Sequence, residues 1–146
     1  MKKITIFDLI KKIISECIEL KDKYINEKDL IIDWICIFSQ SDEEYQELTR
    51  QANEVGEVIE TTATGLIYKF GKPKLLKIRM PDATRPEIGD VDFTTDYEQL
   101  KNKYLDNNRF KLIVREKFEM IELSDSDFDV RVYFSSIPPS KLRGIK

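Results

Sequence analysis

The sequence predicts an α+β fold made of two βαβββ modules with mixed or antiparallel curved sheets, preceded by an N-terminal amphipathic helix. Three observations predict it. Apolar residues recur at three- and four-residue steps over residues 5–25 and then give way to short runs with the two-residue period of strands. Residues 30–80 and 89–134 each read strand, helix, strand, strand, strand, with little residue identity between the copies. Between them Pro81, Pro86 and Gly89 punctuate an irregular joint. This divides the chain into a helix packed on the domain (1–28), a first module (29–81), a second module (82–136) and an irregular tail (137–146). Either module alone has one helix and too little core, so pairing is the economical way to bury both sheets.

In the first helix Ile6, Leu9, Ile10, Ile13, Ile14, Cys17, Ile18, Leu20 and Tyr24 recur at three- and four-residue steps, and Asp8, Lys11, Lys12, Glu16, Glu19 and Lys23 take the other side. Thr5 with Asp8 three residues on resembles a capping box with Asp in place of Glu. Residues 30–38, rich in β-branched and aromatic side chains, read as a buried strand. Ser39 and Ser41 offer caps for a helix over residues 42–55, with Tyr45, Leu48, Ala52 and Val55 on one face and Gly56 at its end. Residues 58–63 and 66–70 form a hairpin around Thr64-Gly65, and residues 75–80 a fourth strand. After the joint, residues 90–94 alternate as a strand, and Thr95 or Asp96 caps a helix with Tyr97, Leu100, Tyr104 and Leu105 in one stripe. Residues 110–116, 118–123 and 128–134 are three further strands, and Pro138-Pro139 opens a tail of little regularity.

Composition excludes several function classes. At 146 residues the chain is long enough for one full core or two half-size repeats, and its net charge of −3 gives no basic face for nucleic acid. No apolar run approaches a membrane span, and the Met1-Lys2-Lys3 start leads into an amphipathic pattern, not a secretory leader, so a cytoplasmic protein is expected. Cys17 and Cys36 have neither metal-ligand nor redox spacing and read as packed thiols. There is no histidine, which removes the usual general base, the histidine-dependent nucleophile systems and His-ligated metals. Carboxylate, Lys, Tyr, Cys or Arg chemistry remains.

The doubled βαβββ order resembles the vicinal-oxygen-chelate superfamily of glyoxalase, bleomycin-resistance and extradiol-dioxygenase relatives. The likeness is strongest in RPEIGDVDFTTDYEQLKNKYL (85–105), similar to the family's linker, first strand and helix, and EMIELSDSDFDVRVYF (119–134), similar to its last hairpin. It covers about four fifths of the chain, leaving out the first helix. Metal-using members carry a His or Gln on the first strand of each half and a Glu on each last strand. Here the first-strand positions hold Trp34 and Asp90, and the last strands offer Leu76, Lys77, Ile78 and Arg79 in one half and Val130, Arg131 and Val132 in the other. The resemblance therefore implies a metal-free member without a cofactor, similar to the drug-binding resistance proteins, whose two curved sheets enclose a cleft between modules.

Strand parity assigns that cleft its side chains. Asp90 and Asp92, Lys77 and Arg79, and Asp129, Arg131 and Tyr133 alternate with apolar neighbours, and Trp34, Cys36 and Phe38 join them from the first half. Trp34, Lys77, Arg79, Asp90, Asp92, Arg131 and Tyr133 are thus the candidate ligand-binding set, able to orient a small polar or aromatic molecule. The same charges could instead neutralise one another on a wet surface. Two further readings compete. Gly89-Asp90-Val91-Asp92-Phe93 resembles the paired-aspartate strand of nucleotidyltransferases, where two carboxylates hold Mg²⁺ ions and Glu119 or Glu122 would supply a third, although the family's glycine-rich helix start does not precede it. Alternatively the chain is a non-catalytic interaction module, with the first helix offering its stripe to a second copy in a homodimer.

Overall fold

The computed structural model of the chain describes residues 5–145. Its elements follow the order α1 (Ile6–Tyr24), β1 (Ile31–Phe38), α2 (Asp42–Val55), β2 (Glu57–Thr62), β3 (Gly65–Lys69), β4 (Leu75–Arg79), β5 (Gly89–Thr94), α3 (Tyr97–Tyr104), β6 (Phe110–Val114), β7 (Glu119–Leu123), β8 (Val130–Ser135) and α4 (Pro139–Leu142). The caps fall where short polar side chains precede an apolar period. Thr5 accepts from the Asp8 N–H at 3.2 Å, Ser41 from the Glu44 N–H at 3.1 Å and Asp96 from the Gln99 N–H at 3.2 Å.

The eight strands make one open mixed sheet in the order β2-β3-β4-β1-β5-β8-β7-β6. β1 lies parallel to β4 and β5 parallel to β8, while β1 and β5 pair antiparallel at the centre. The α+β fold with an N-terminal helix and two strand–helix–three-strand sets is as expected, and the two sets join edge to edge through β1 and β5. Pairing β1 with β5 removes two unsatisfied edges from the middle of the molecule. Only β2 and β6 are left at the rims.

One face of the sheet is roofed by helices. Ile6, Ile10, Ile13, Cys17 and Leu20 of α1, Leu48 and Ala52 of α2, and Tyr97 and Leu100 of α3 are buried with Ile35, Ile37, Leu76, Ile78, Val91, Phe93, Ile121, Val132 and Phe134 in one core cluster. Much of the α1 stripe is thereby covered within its own chain, while Phe7 and Ile18 of the same helix stay exposed. Gly89 is required where α1 crosses the sheet: a Cβ there would stand 2.4 Å from the Cys36 carbonyl oxygen and 2.7 Å from Ile13 Cδ1. Lys21 is the charged member of this side, its ammonium donating to Asp22 at 2.6 Å and to the Glu27 carbonyl at 2.8 Å while lying over the Phe93 ring.

The tail departs from the irregular segment expected of residues 137–146. After Pro138 it forms the single turn α4, which returns to the sheet and docks on Asp33. That carboxylate accepts from the Ser140 N–H at 2.8 Å and the Ser140 hydroxyl at 2.5 Å. Pro139 in the first turn suits a helix start, since its missing N–H has no partner to lose there. No helix among the described residues is long and apolar enough to cross a membrane.

Candidate functional site

The face away from the long helices carries the second half of every strand's alternation. Register lays its side chains out in rows. Lys77 of β4, Cys36 of β1, Asp90 of β5 and Arg131 of β8 form one row across four strands. Trp34, Asp92, Tyr133 and Glu122 of β7 form the next. α4 and the joint between the two strand sets flank these rows and leave a cavity of about 270 Å³. Its wall includes Trp34, Cys36, Lys77, Arg79, Arg85, Asp90, Asp92, Glu122, Tyr133 and Ser135, with Ile113, Phe118, Met120 and Leu142 supplying apolar surface.

Six of the seven candidates named from the sequence line this cavity: Trp34, Lys77, Arg79, Asp90, Asp92 and Tyr133. Arg131 stands beside it and is engaged elsewhere, its Nε donating to Glu87 at 2.7 Å and its Nη1 lying 3.7 Å from Glu122. Several lining residues carried no signal that sequence reasoning used. Ser135 follows the parity of Arg131 and Tyr133 and was reachable in that way. Arg85, Arg115 and Arg143 come from loops and the tail, where no periodicity operates.

The two aspartates are the unusual groups. Asp90 is 6% and Asp92 2% exposed, against the expectation that such carboxylates stay wet or become ion-paired. Asp90 accepts the indole N–H of Trp34 at 3.1 Å, and Asp92 accepts a short hydrogen bond from the Ser135 hydroxyl. Burial dominates their acidity. Asp90 is pushed up to about 7, the Trp34 bond and the cations Arg85, Lys77 and Arg79 holding it back, and Asp92 is raised well above the carboxylate range. Burial likewise raises the Cys36 thiol and the Tyr133 phenol, and lowers Lys77. Tyr133 donates its hydroxyl to Glu122 at 2.7 Å.

The cationic side is thinly partnered. Lys77 is 9% exposed, and its ammonium donates to the Thr64 hydroxyl at 2.6 Å without an ion pair among the described residues. Arg79 shares that hydroxyl at 3.4 Å and reaches Asp82 at 3.4 Å, while its Nε is buried with no partner. Arg143 lies over the Trp34 ring at 5.5 Å and pairs with Glu60 at 2.9 Å.

The arrangement offers hydrogen-bonding, charge and an aromatic surface. A paired-aspartate metal centre needs a third carboxylate close by. Glu119 lies among the helices, accepting from Tyr97 and Lys101 at 2.7 Å each, and Glu122 is committed to Tyr133. Among the described residues no three His, Cys, Asp or Glu side chains are grouped to hold a metal ion.

No family model matches the chain, and no curated protein matches it by sequence. Among solved structures, it is similar to one described as "Structural Genomics, Protein EC4020", at a TM-score of 0.67 and 13% identity, covering 94% of this chain and 92% of that one. A glyoxalase family protein from Bacillus anthracis matches 76% of this chain and 98% of its own at 16% identity, with a TM-score of 0.31, too low to bear on fold or function. The first likeness shows a shared α+β fold over nearly the full length of both chains.

Proposed function

We propose that this chain is a small-molecule-binding protein of glyoxalase and bleomycin-resistance-like type, holding a polar or aromatic ligand in the cavity at the centre of the sheet without a transition metal. In this reading the two strand–helix–three-strand sets are a duplicated pair, with their joint in residues 81–89. Trp34 and Asp90, the positions where metal-using members of that superfamily would carry ligands, adjoin one another on the cavity wall, and that juxtaposition supports the placement.

The single observation carrying the proposal is the dryness of Asp90 and Asp92. Carboxyl groups buried with a side-chain hydrogen bond each but no ion pair cost stability, and packing alone would favour apolar side chains there. Desolvated polar groups around a partly apolar hollow are the common build of a ligand site, where a few placed groups orient what the apolar wall holds. The test is a mass-spectrometric search for a small molecule that copurifies with the native protein, followed by thermal-shift screening of metabolites. Hits should lose most of their stabilising effect on Asp90→Asn, with the circular dichroism spectrum unchanged. Hits that stabilise Asp90→Asn as strongly as the original protein would remove this cavity from consideration.

A further inference from the structure

The cavity has a polarity that the proposal above leaves open. Register places Lys77 and Asp90 on either side of Cys36, two interstrand steps apart, or about 10 Å between backbones. At the first end stand two cations whose surroundings are incomplete. The Lys77 ammonium is buried with one neutral hydroxyl for company, and Arg79 keeps a buried Nε that donates to nothing. A buried ammonium without a carboxylate is costly, and an unmatched guanidinium N–H adds to that cost. Both groups converge on Thr64, so they face one locus. At the other end are carboxyl oxygens, suited to a hydrogen-bond donor.

Resting on the small-molecule reading, we propose that the ligand is a small single-ring acid, its carboxylate or phosphate seated against Lys77 and Arg79, its ring beside Trp34 and a hydrogen-bond donor directed at Asp90. An anion supplies the charged partner that Lys77 lacks and an acceptor for the Arg79 Nε, whose guanidinium otherwise reaches only Asp82 and Thr64 at 3.4 Å each, and a guanidinium with an adjacent ammonium matches two oxygens of one oxyanion. Size agrees with this. A hollow of about 270 Å³ lies at the small end of ligand pockets, which start at about 300 Å³, so it suits one ring better than a drug-sized molecule. The raised pKa of Asp90 works in the same direction, because a protonated or half-protonated carboxyl repels an incoming anion less.

The chain contains one tryptophan, and it lines the cavity, so its emission reports this site alone. The experiment titrates the full chain with 4-hydroxybenzoate, phenyl phosphate, benzyl alcohol and benzylamine while following Trp34 fluorescence. Saturable change is expected with one or both acids, at least tenfold weaker response to benzyl alcohol and none to benzylamine. Which acid binds tighter distinguishes carboxylate from phosphate. Lys77→Met should weaken the acid at least tenfold. Arg79→Gln, at a more exposed position, should do the same and serves if the first variant does not fold. Saturation by benzylamine or benzyl alcohol in preference to the acids overturns the anionic class and leaves the small-molecule reading standing, as does unchanged acid affinity in both variants. Silence of all four probes overturns the anionic class too, and the small-molecule reading falls with it only if the metabolite screen is also empty.

Discussion

Along β5, Val91 and Phe93 lie sealed beneath the helices, and Asp90 and Asp92, one residue out of step, lie nearly as dry on the opposite face. Other strands repeat the contrast, with Leu76 and Ile78 against Lys77 on β4, and Val132 and Phe134 against Tyr133 and Ser135 on β8. Equal burial has opposite energetic sense on the two sides. Beneath the helices it removes hydrocarbon from water and stabilises the sheet by roughly 1.5–3 kcal/mol for each large side chain. On the open face it strips water from carboxyl and ammonium groups, which opposes folding. The comparison teaches that the roofed face carries enough surplus to keep a strained polar hollow on its reverse, a division expected where a site and a core share the same strands.

The sharpest way to break the contrast is to damage the roofed face. Phe93 stacks on Phe134 with ring centroids 6.0 Å apart and is fully buried. Phe93→Ala should cost about 3–5 kcal/mol, seen as a lower midpoint in urea unfolding at unchanged slope. A loss below about 1 kcal/mol would mean that this side does not hold the sheet.

The next largest effect should have the reverse sign. With its pKa pushed up to about 7, Asp90 keeps its proton to near neutral pH in the folded chain, whereas in the unfolded chain it ionises near 3.8, the ordinary value for an aspartic acid. Folded protein therefore binds more protons between those values, and stability falls as pH rises from about 4 to about 7 and stays lower above. Asn at this position cannot ionise and can still accept from Trp34. Asp90→Asn should be more stable than the original protein by about 2–4 kcal/mol at pH 8, and the gap should close below pH 4. The flanking Lys77, Arg79, Arg85, Asp92, Glu122, Arg131 and Tyr133 remain in both proteins. Destabilisation of Asp90→Asn at pH 8 would show that the carboxylate is a structural partner and not a desolvated ligand group.

How much of this was legible beforehand follows from what alternation encodes. A two-residue period tells which side chains share a face, so Lys77, Arg79, Asp90, Asp92 and Tyr133 could be grouped from sequence, and helix periodicity with Thr5, Ser41 and Asp96 as caps located the helices to within a residue or so. Alternation is silent about strand order. It does not say that the two strand sets join through β1 and β5, nor how dry the aspartates are, which depends on what lies to either side. Arg131 has the right parity, yet Glu87 from the joint draws it aside, an ion pair between segments 44 residues apart. α4 was illegible for the same reason: Pro138-Pro139 looks like a breaker, and the turn is fixed by Asp33, 107 residues away.

That last contact supplies the mildest and most selective perturbation. α4 and its C-cap contribute Pro139, Leu142 and Arg143 to the cavity wall, and the segment is tied to the sheet by two hydrogen bonds from Ser140 to the buried Asp33 carboxylate and by the ion pair of Arg143 with Glu60. Ser140→Ala removes the hydroxyl donor and leaves the backbone N–H, so the stability loss should be about 1–2 kcal/mol, far less than for Phe93→Ala. Its local effect should be larger than its global one. With α4 loosened, the Arg143 guanidinium leaves the Trp34 ring and water reaches the indole, so Trp34 emission of the folded protein should move to the red, while the urea midpoint falls only as far as that modest loss requires. An emission maximum that stays put would mean that the cavity is enclosed by the sheet's own side chains and that α4 rests on it without shaping it. A red shift would make α4 part of the wall that keeps Asp90 and Asp92 dry, and the pH dependence expected for Asp90→Asn should then shrink when both changes are combined.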